Sequence, residues 1–232
     1  MATYTVNAGH GLAPKGTVGA VKILDESTEN RNVAGELIKY LQQEGHTVID
    51  TTVNDGTATE IVNKIVQKCN TQTVDLNISI HFNSSDNDTA NGVEVLACND
   101  KNKTTGDKIC SNIASSFEFK NRGFKIVSNL GFLNNTSKPA LLVEVCFVSN
   151  QGDVDKYKNA GHKAIAKAIA EGILGKKIQD VQEEIPSPPL PPTPPQPPLP
   201  PQPSPPTPQP PTPSPQPSSN ILEKIAGFFK KL

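Results

Sequence analysis

The chain has 232 residues and 22 prolines, and its 22 Lys and Arg balance 23 Asp and Glu to a net charge of −1. That charge excludes the basic face of a nucleic-acid binder, and no apolar stretch approaches the roughly 20 residues of a membrane span. All prolines except Pro14 and Pro139 lie between Pro186 and Pro217, so residues 1–180 have an ordinary globular composition and enough length for one full core.

In chain order, Thr3 to Ala8 alternates as a strand does. A loop follows to about Leu24. Residues 27–44 carry Val33, Leu37, Ile38 and Leu41 at helical spacing, ended by Gly45. Thr47 to Thr52 reads as a second strand. Thr57 and Glu60 form a capping box ahead of Ile61, Val62, Ile65 and Val66. Leu76 to Phe82 and Gly92 to Cys98 read as strands, residues 104–119 as a helix and Arg122 to Val127 as a short strand. Ala140 to Val148 is almost wholly apolar, as suits a central strand covered on both faces. A last helix runs from about Asp153 to Leu174. Strands alternating with helices give an α/β sheet flanked by helices.

Beyond residue 180 the composition changes. Residues 181–219 read as a Pro-rich linker, with 186–217 made only of P, S, T, Q and L. About 32 residues of polyproline II at about 3.1 Å each make a semi-rigid spacer of about 100 Å. Residues 220–232 read as a cationic amphipathic helix. Ile221, Leu222, Ile225, Phe228, Phe229 and Leu232 form one stripe, Asn220 caps it, and Lys230 and Lys231 suit its negative end. So short a helix needs a surface, and an anionic membrane or wall surface is expected. The N-terminus MATYTVNAGHG has no basic or apolar leader segment. The expectation is synthesis in the cytoplasm without a Sec signal, with action on the wall after release or from outside. The four cysteines show no CxxC spacing, so reduced thiols are expected.

Three residues stand where apolar runs stop: His10 in VNAGHG, His81 in ISIHFN and Glu144 in LLVEVCF. Ligands of open α/β sheets bind beyond the carboxyl ends of the strands, so these three point to one site. Hydrolytic zinc commonly takes two His and a carboxylate and keeps a position for water. His10 and His81 are the natural pair, ahead of His46 and His162. Asp25, Glu26 and Glu29 all precede the first helix and each could supply the carboxylate. An unpartnered Glu144 inside an apolar strand is costly. It is either salt-bridged to Arg122 or Lys138, or a general base with a tuned pKa. Cys146, two residues on, is expected on the same face as Glu144, but a buried thiol is a poor nucleophile. Neither GxGxxG nor GxxxxGK[ST] occurs, which removes support for nucleotide binding.

GHG at 9–11, ESTEN at 26–30, SIHFNSS at 79–85, NRGFK at 121–125 and FLNNTSKPALLVEVCFVSN at 132–150 occur in that order. Together they resemble the zinc-dependent N-acetylmuramoyl-L-alanine amidases of type 3, in particular phage endolysin catalytic domains. The resemblance covers residues 1 to about 175. It implies a twisted, mostly parallel six-stranded sheet flanked by helices, and one Zn²⁺ held by His10, Glu26 and His81. It favours Glu26 over Glu29 and makes Glu144 the catalytic residue. Asn83, Ser84 and Arg122 become candidate substrate contacts. The implied reaction is bacteriolytic hydrolysis of the amide between N-acetylmuramic acid and L-alanine in peptidoglycan. A zinc carboxypeptidase of stem peptides and a non-catalytic, metal-stabilised wall-binding module are the competing readings.

Overall fold

A computed structural model describes residues 1–180. The linker at 181–219 and the helix expected at 220–232, with Ile221, Leu222, Ile225, Phe228, Phe229, Lys230 and Lys231, lie outside the described residues.

Six strands form one sheet: β1 (Thr3–Ala8), β2 (Thr47–Asp50), β3 (Leu76–Asn83), β4 (Val93–Ala97), β5 (Asn121–Ile126) and β6 (Ala140–Phe147), in the order β2-β1-β3-β6-β4-β5. Every neighbouring pair is parallel except β4 with β6. β3 and β4 do not pair with each other; β6 joins them. The apolar run of β6 follows from this place, since it is buried on both faces.

The helices are α1 (Glu26–Gln43), α2 (Ala58–Asn70), α3 (Lys103–Phe117), α4 (Gly131–Asn135), α5 (Gln151–Ala160) and α6 (His162–Leu174). Asp25 caps α1 by accepting from the Thr28 N–H, and Thr57 with Glu60 closes the capping box of α2. The single last helix expected from about Asp153 is two helices. Gly161 has φ +78° between them, a conformation that glycine adopts without steric cost.

Two cores flank the sheet. The larger joins Val6, Ile78, Ile80 and Val143 to Val33 and Leu37 of α1 and Ile165 and Ile169 of α6. The smaller packs Ile61 and Ile65 of α2 with Leu96, Phe132, Leu133 and Leu142. All four cysteines are free. Cys146 corrects an expectation. The β3–β6 register shifts between His81↔Glu144 and Asn83↔Phe147, which leaves one extra residue on β6. Alternation is therefore broken after Glu144, and Cys146 is buried in the larger core beside Val145. Burial raises its thiol pKa well above the usual value.

Candidate active site

Beyond the carboxyl ends of β1 and β3, three side chains converge. His10 follows β1 through the tight Ala8-Gly9 segment and holds φ +60°. That left-handed conformation is uncommon outside glycine and clusters at functional sites. Its Nε2 lies 3.1 Å from Oε1 of Glu26, the first residue of α1. Nδ1 of His81, near the end of β3, lies 3.0 Å from the same oxygen. The three donor atoms all fall within 4.8 Å of one another. The two imidazoles meet edge to face, centroids 4.8 Å apart. Asp25 is occupied as the cap of α1, and Glu29 accepts from the Tyr157 hydroxyl at 2.6 Å. Among the three acidic candidates, Glu26 alone reaches the histidines.

The backbone holds this cluster closely. The Glu26 carboxylate accepts from Phe82 N–H at 3.2 Å and Ala20 N–H at 2.8 Å. Arg31 donates to the His10 carbonyl at 2.9 Å, and Asn30 to the Gly9 carbonyl at 3.1 Å. These bonds fix the turn that carries His10. Gly9 passes so near His81 that a Cβ there would land in the imidazole ring.

Two imidazole nitrogens and one carboxylate oxygen are a donor set suited to a zinc-like divalent ion. Burial would raise the pKa of Glu26, but the hydrogen bonds from His10 and His81 outweigh it and hold the carboxyl well below the usual range. Burial lowers the His81 pKa, against the pull of Glu26. An ionised carboxylate and a neutral imidazole are the ligating forms.

Glu144 of β6 sits opposite His81 on one side and Glu94 of β4 on the other. Among the described residues it has no salt bridge to Arg122 or Lys138. Arg122 is committed to Glu94, with Nε 2.5 Å from Oε2. Oε2 of Glu144 is buried without a hydrogen-bond partner among the described residues. Burial first, then the charges of Glu26 and Glu94, push its pKa up to about 8. A sealed, unpartnered carboxylate oxygen beside three metal-type donors is unstable as scaffolding and useful as a proton acceptor.

Glu94 was not singled out by the sequence, although GVEVLA interrupts an apolar strand just as VEVCF does. Its carboxylate takes Arg122 and Lys125 on one oxygen and the Asn83 amide on the other at 3.0 Å. Arg122 also lies over the Phe147 ring, 4.9 Å from its centroid. Asn83 accepts from the Ser84 N–H at 2.9 Å. The three candidate substrate contacts thus border Glu144 through Glu94. Burial alone would raise the pKa of Glu94, yet the two cations outweigh it and lower it. A depressed carboxylate stabilises the fold above its ordinary value of 4.5 and loses that contribution as pH falls through its folded value. In thermal melts, the gap between wild type and Glu94→Gln is expected to be widest at neutral pH and to close in acid. A gap independent of pH would contradict this.

The family model described as N-acetylmuramoyl-L-alanine amidase matches residues 5–175. An uncharacterized protein of Clostridium perfringens (strain 13 / Type A) is 37% identical over 179 residues, which is 75% of this chain and 52% of that protein. The probable cell wall amidase LytH of Staphylococcus aureus is 28% identical over 173 residues, 74% of this chain and 57% of LytH. The chain spans about half the length of the curated relatives it matches. Among solved structures, the catalytic domain of the CD27L endolysin targeting Clostridia difficile is 32% identical with a TM-score of 0.72. That likeness covers 77% of this chain and 100% of the other. The catalytic domain of CwlV, an N-acetylmuramoyl-L-alanine amidase of Bacillus (Paenibacillus) polymyxa var. colistinus, is 26% identical with a TM-score of 0.66, covering 75% and 97%.

Proposed function

The chain belongs to the N-acetylmuramoyl-L-alanine amidase family, and from that premise we propose that it hydrolyses the amide between N-acetylmuramic acid and L-alanine in peptidoglycan with one zinc ion. The observation that carries this reading is the convergence of His10, Glu26 and His81 beside a Glu144 oxygen that no other described residue engages. His10 Nε2, His81 Nδ1 and a Glu26 oxygen would hold the ion. When bound, zinc supplies polarisation of the scissile carbonyl and a lowered pKa for the attacking water.

Glu144 does the proton work. It takes a proton from the water as the carbon–oxygen bond forms, and gives it to the amine as the carbon–nitrogen bond breaks. Its buried place on a central strand holds it in one geometry. Glu26, kept ionised, would supply the one negatively charged ligand. Arg31 and Asn30, which do not reach the reacting atoms, position the His10 turn.

The domain division proposed is catalytic 1–180, linker 181–219 and surface-binding helix 220–232, with peptidoglycan as the partner and the cell wall as the place of action. The test is a product assay on purified peptidoglycan. New free L-alanine amino groups are expected, lost with EDTA and restored by Zn²⁺. A new carboxyl terminus within the stem peptide, or lysis indifferent to chelation, would overturn the proposal.

A further inference from the structure

A pocket of about 110 Å³ lies against the cluster on the α2 side. Ile61, Val62 and Ile65 of α2 and Phe132 of α4 wall it, and the imidazoles of His10 and His81 form its rim. Its floor is Asn7 and Ser79, but the Ser79 hydroxyl donates to Asn7 Oδ1 at 2.7 Å and the Asn7 amide to the Ile78 carbonyl at 3.2 Å. A water in such a space needs two to four polar partners. Here the Asn7 and Ser79 side chains satisfy each other and, apart from Thr17 and the two imidazoles, the rest of the lining is aliphatic, aromatic or glycine, so the pocket suits a small apolar group. Val62 is half-buried and Ala58 exposed, so it opens outward at the start of α2.

The sheet order orients the substrate. Glu144 stands on β6, the neighbour of β3 away from β1; the pocket's Asn7 and Ser79 come from β1 and β3, and its apolar side chains from α2 and α4. Glu144 must reach the leaving nitrogen, so the alanine side of the bond lies toward β6. The acyl side then points at the pocket. In muramic acid that acyl group is a lactyl unit, a carbonyl whose neighbouring carbon carries a methyl and the ether to the sugar. We propose that this pocket receives the methyl-bearing carbon of the lactyl group, with Val62 as the residue that selects for it. This rests on the amidase reading above.

The test uses the zinc-loaded full chain and two synthetic muramyl dipeptides, one with the natural lactyl unit and one with a glycolyl unit lacking the methyl. Wild type is expected to favour lactyl about ten-fold in kcat/KM, the lower end for one carbon in an apolar pocket. Val62→Trp, which fills the pocket, is expected to bring the ratio near one, chiefly through a higher KM for the lactyl substrate. Val62→Ala, which enlarges it and is well tolerated in a helix, is expected to move the preference toward a 2-oxybutyryl homologue. A wild-type ratio near one, or a preference unmoved in Val62→Ala, would overturn the pocket assignment. Hydrolysis of neither substrate by wild type would instead count against the amidase reading.

Discussion

Replacing Glu144 by Gln is expected to lower hydrolysis of purified peptidoglycan by about 10²–10⁴-fold, the range for a lost general acid–base group. Gln keeps the shape and cannot accept the proton, and none of the three proposed ligands is touched. Zinc content, read by metal analysis, should stay at that of wild type. The same substitution has an opposite effect on the metal-free fold. Burial, with Glu26 and Glu94 adding to it, raises the folded-state pKa of Glu144 from 4.5 to about 8. A raised carboxyl favours the fold below its unfolded value, and that contribution drains away as pH rises through the folded value. Relative to Glu144→Gln, metal-free wild type should therefore lose melting temperature between about pH 5 and 8. A variant that hydrolyses peptidoglycan within ten-fold of wild type would end the assignment of Glu144 as the base.

Gly9→Ala is expected to remove zinc affinity by about two orders of magnitude, the upper end for disturbing what supports a ligand, with hydrolysis falling in step. The backbone angle at Gly9 is not in the left-handed region, so alanine fits the chain there. What it does not fit is the space, which the His81 ring occupies. The relief available is displacement of that largely buried ring away from Glu26. Stability of the metal-free protein should therefore change little while metal capture collapses. Competition titration against a zinc chelator, paired with a melting curve, separates these. Wild-type affinity in Gly9→Ala would show that the His81 ring position is not what binds the ion.

The strand ends were legible because an apolar run broken by a His or Glu is conspicuous, and His10, His81 and Glu144 are such breaks. Glu26 was legible only through its motif, since Asp25 and Glu29 share its neighbourhood and only the turn of α1 decides which faces the histidines. Glu94 carried the same signal as Glu144 and went unread, because an acid on an alternating strand passes for a solvent-facing position. Arg31 gave no signal: its partners are carbonyls of residues 10 and 27 and the Asn54 side chain, and carbonyls leave no mark on a sequence. The direction of β4 was also hidden. Side-chain alternation is the same for a strand running either way, so the one antiparallel pair could not be read from it. Cys146 was misplaced for a related reason: period-two counting cannot see an inserted residue.

The wedge position of β6 has a consequence for a nascent or truncated chain. Residues 1–83 supply β1, β2 and β3 with the three side chains that could hold a metal, while residues 93–126 supply β4 and β5. Nothing in the sheet ties these two halves until the last strand slides between them. A polypeptide stopped short of Ala140 would carry His10, Glu26 and His81 but not Glu144, and would leave two raw strand borders open. In the proposed mechanism the ion-holding side chains and the proton carrier therefore come from opposite sides of that join, His10, Glu26 and His81 from the first half and Glu144 from the strand that closes the sheet.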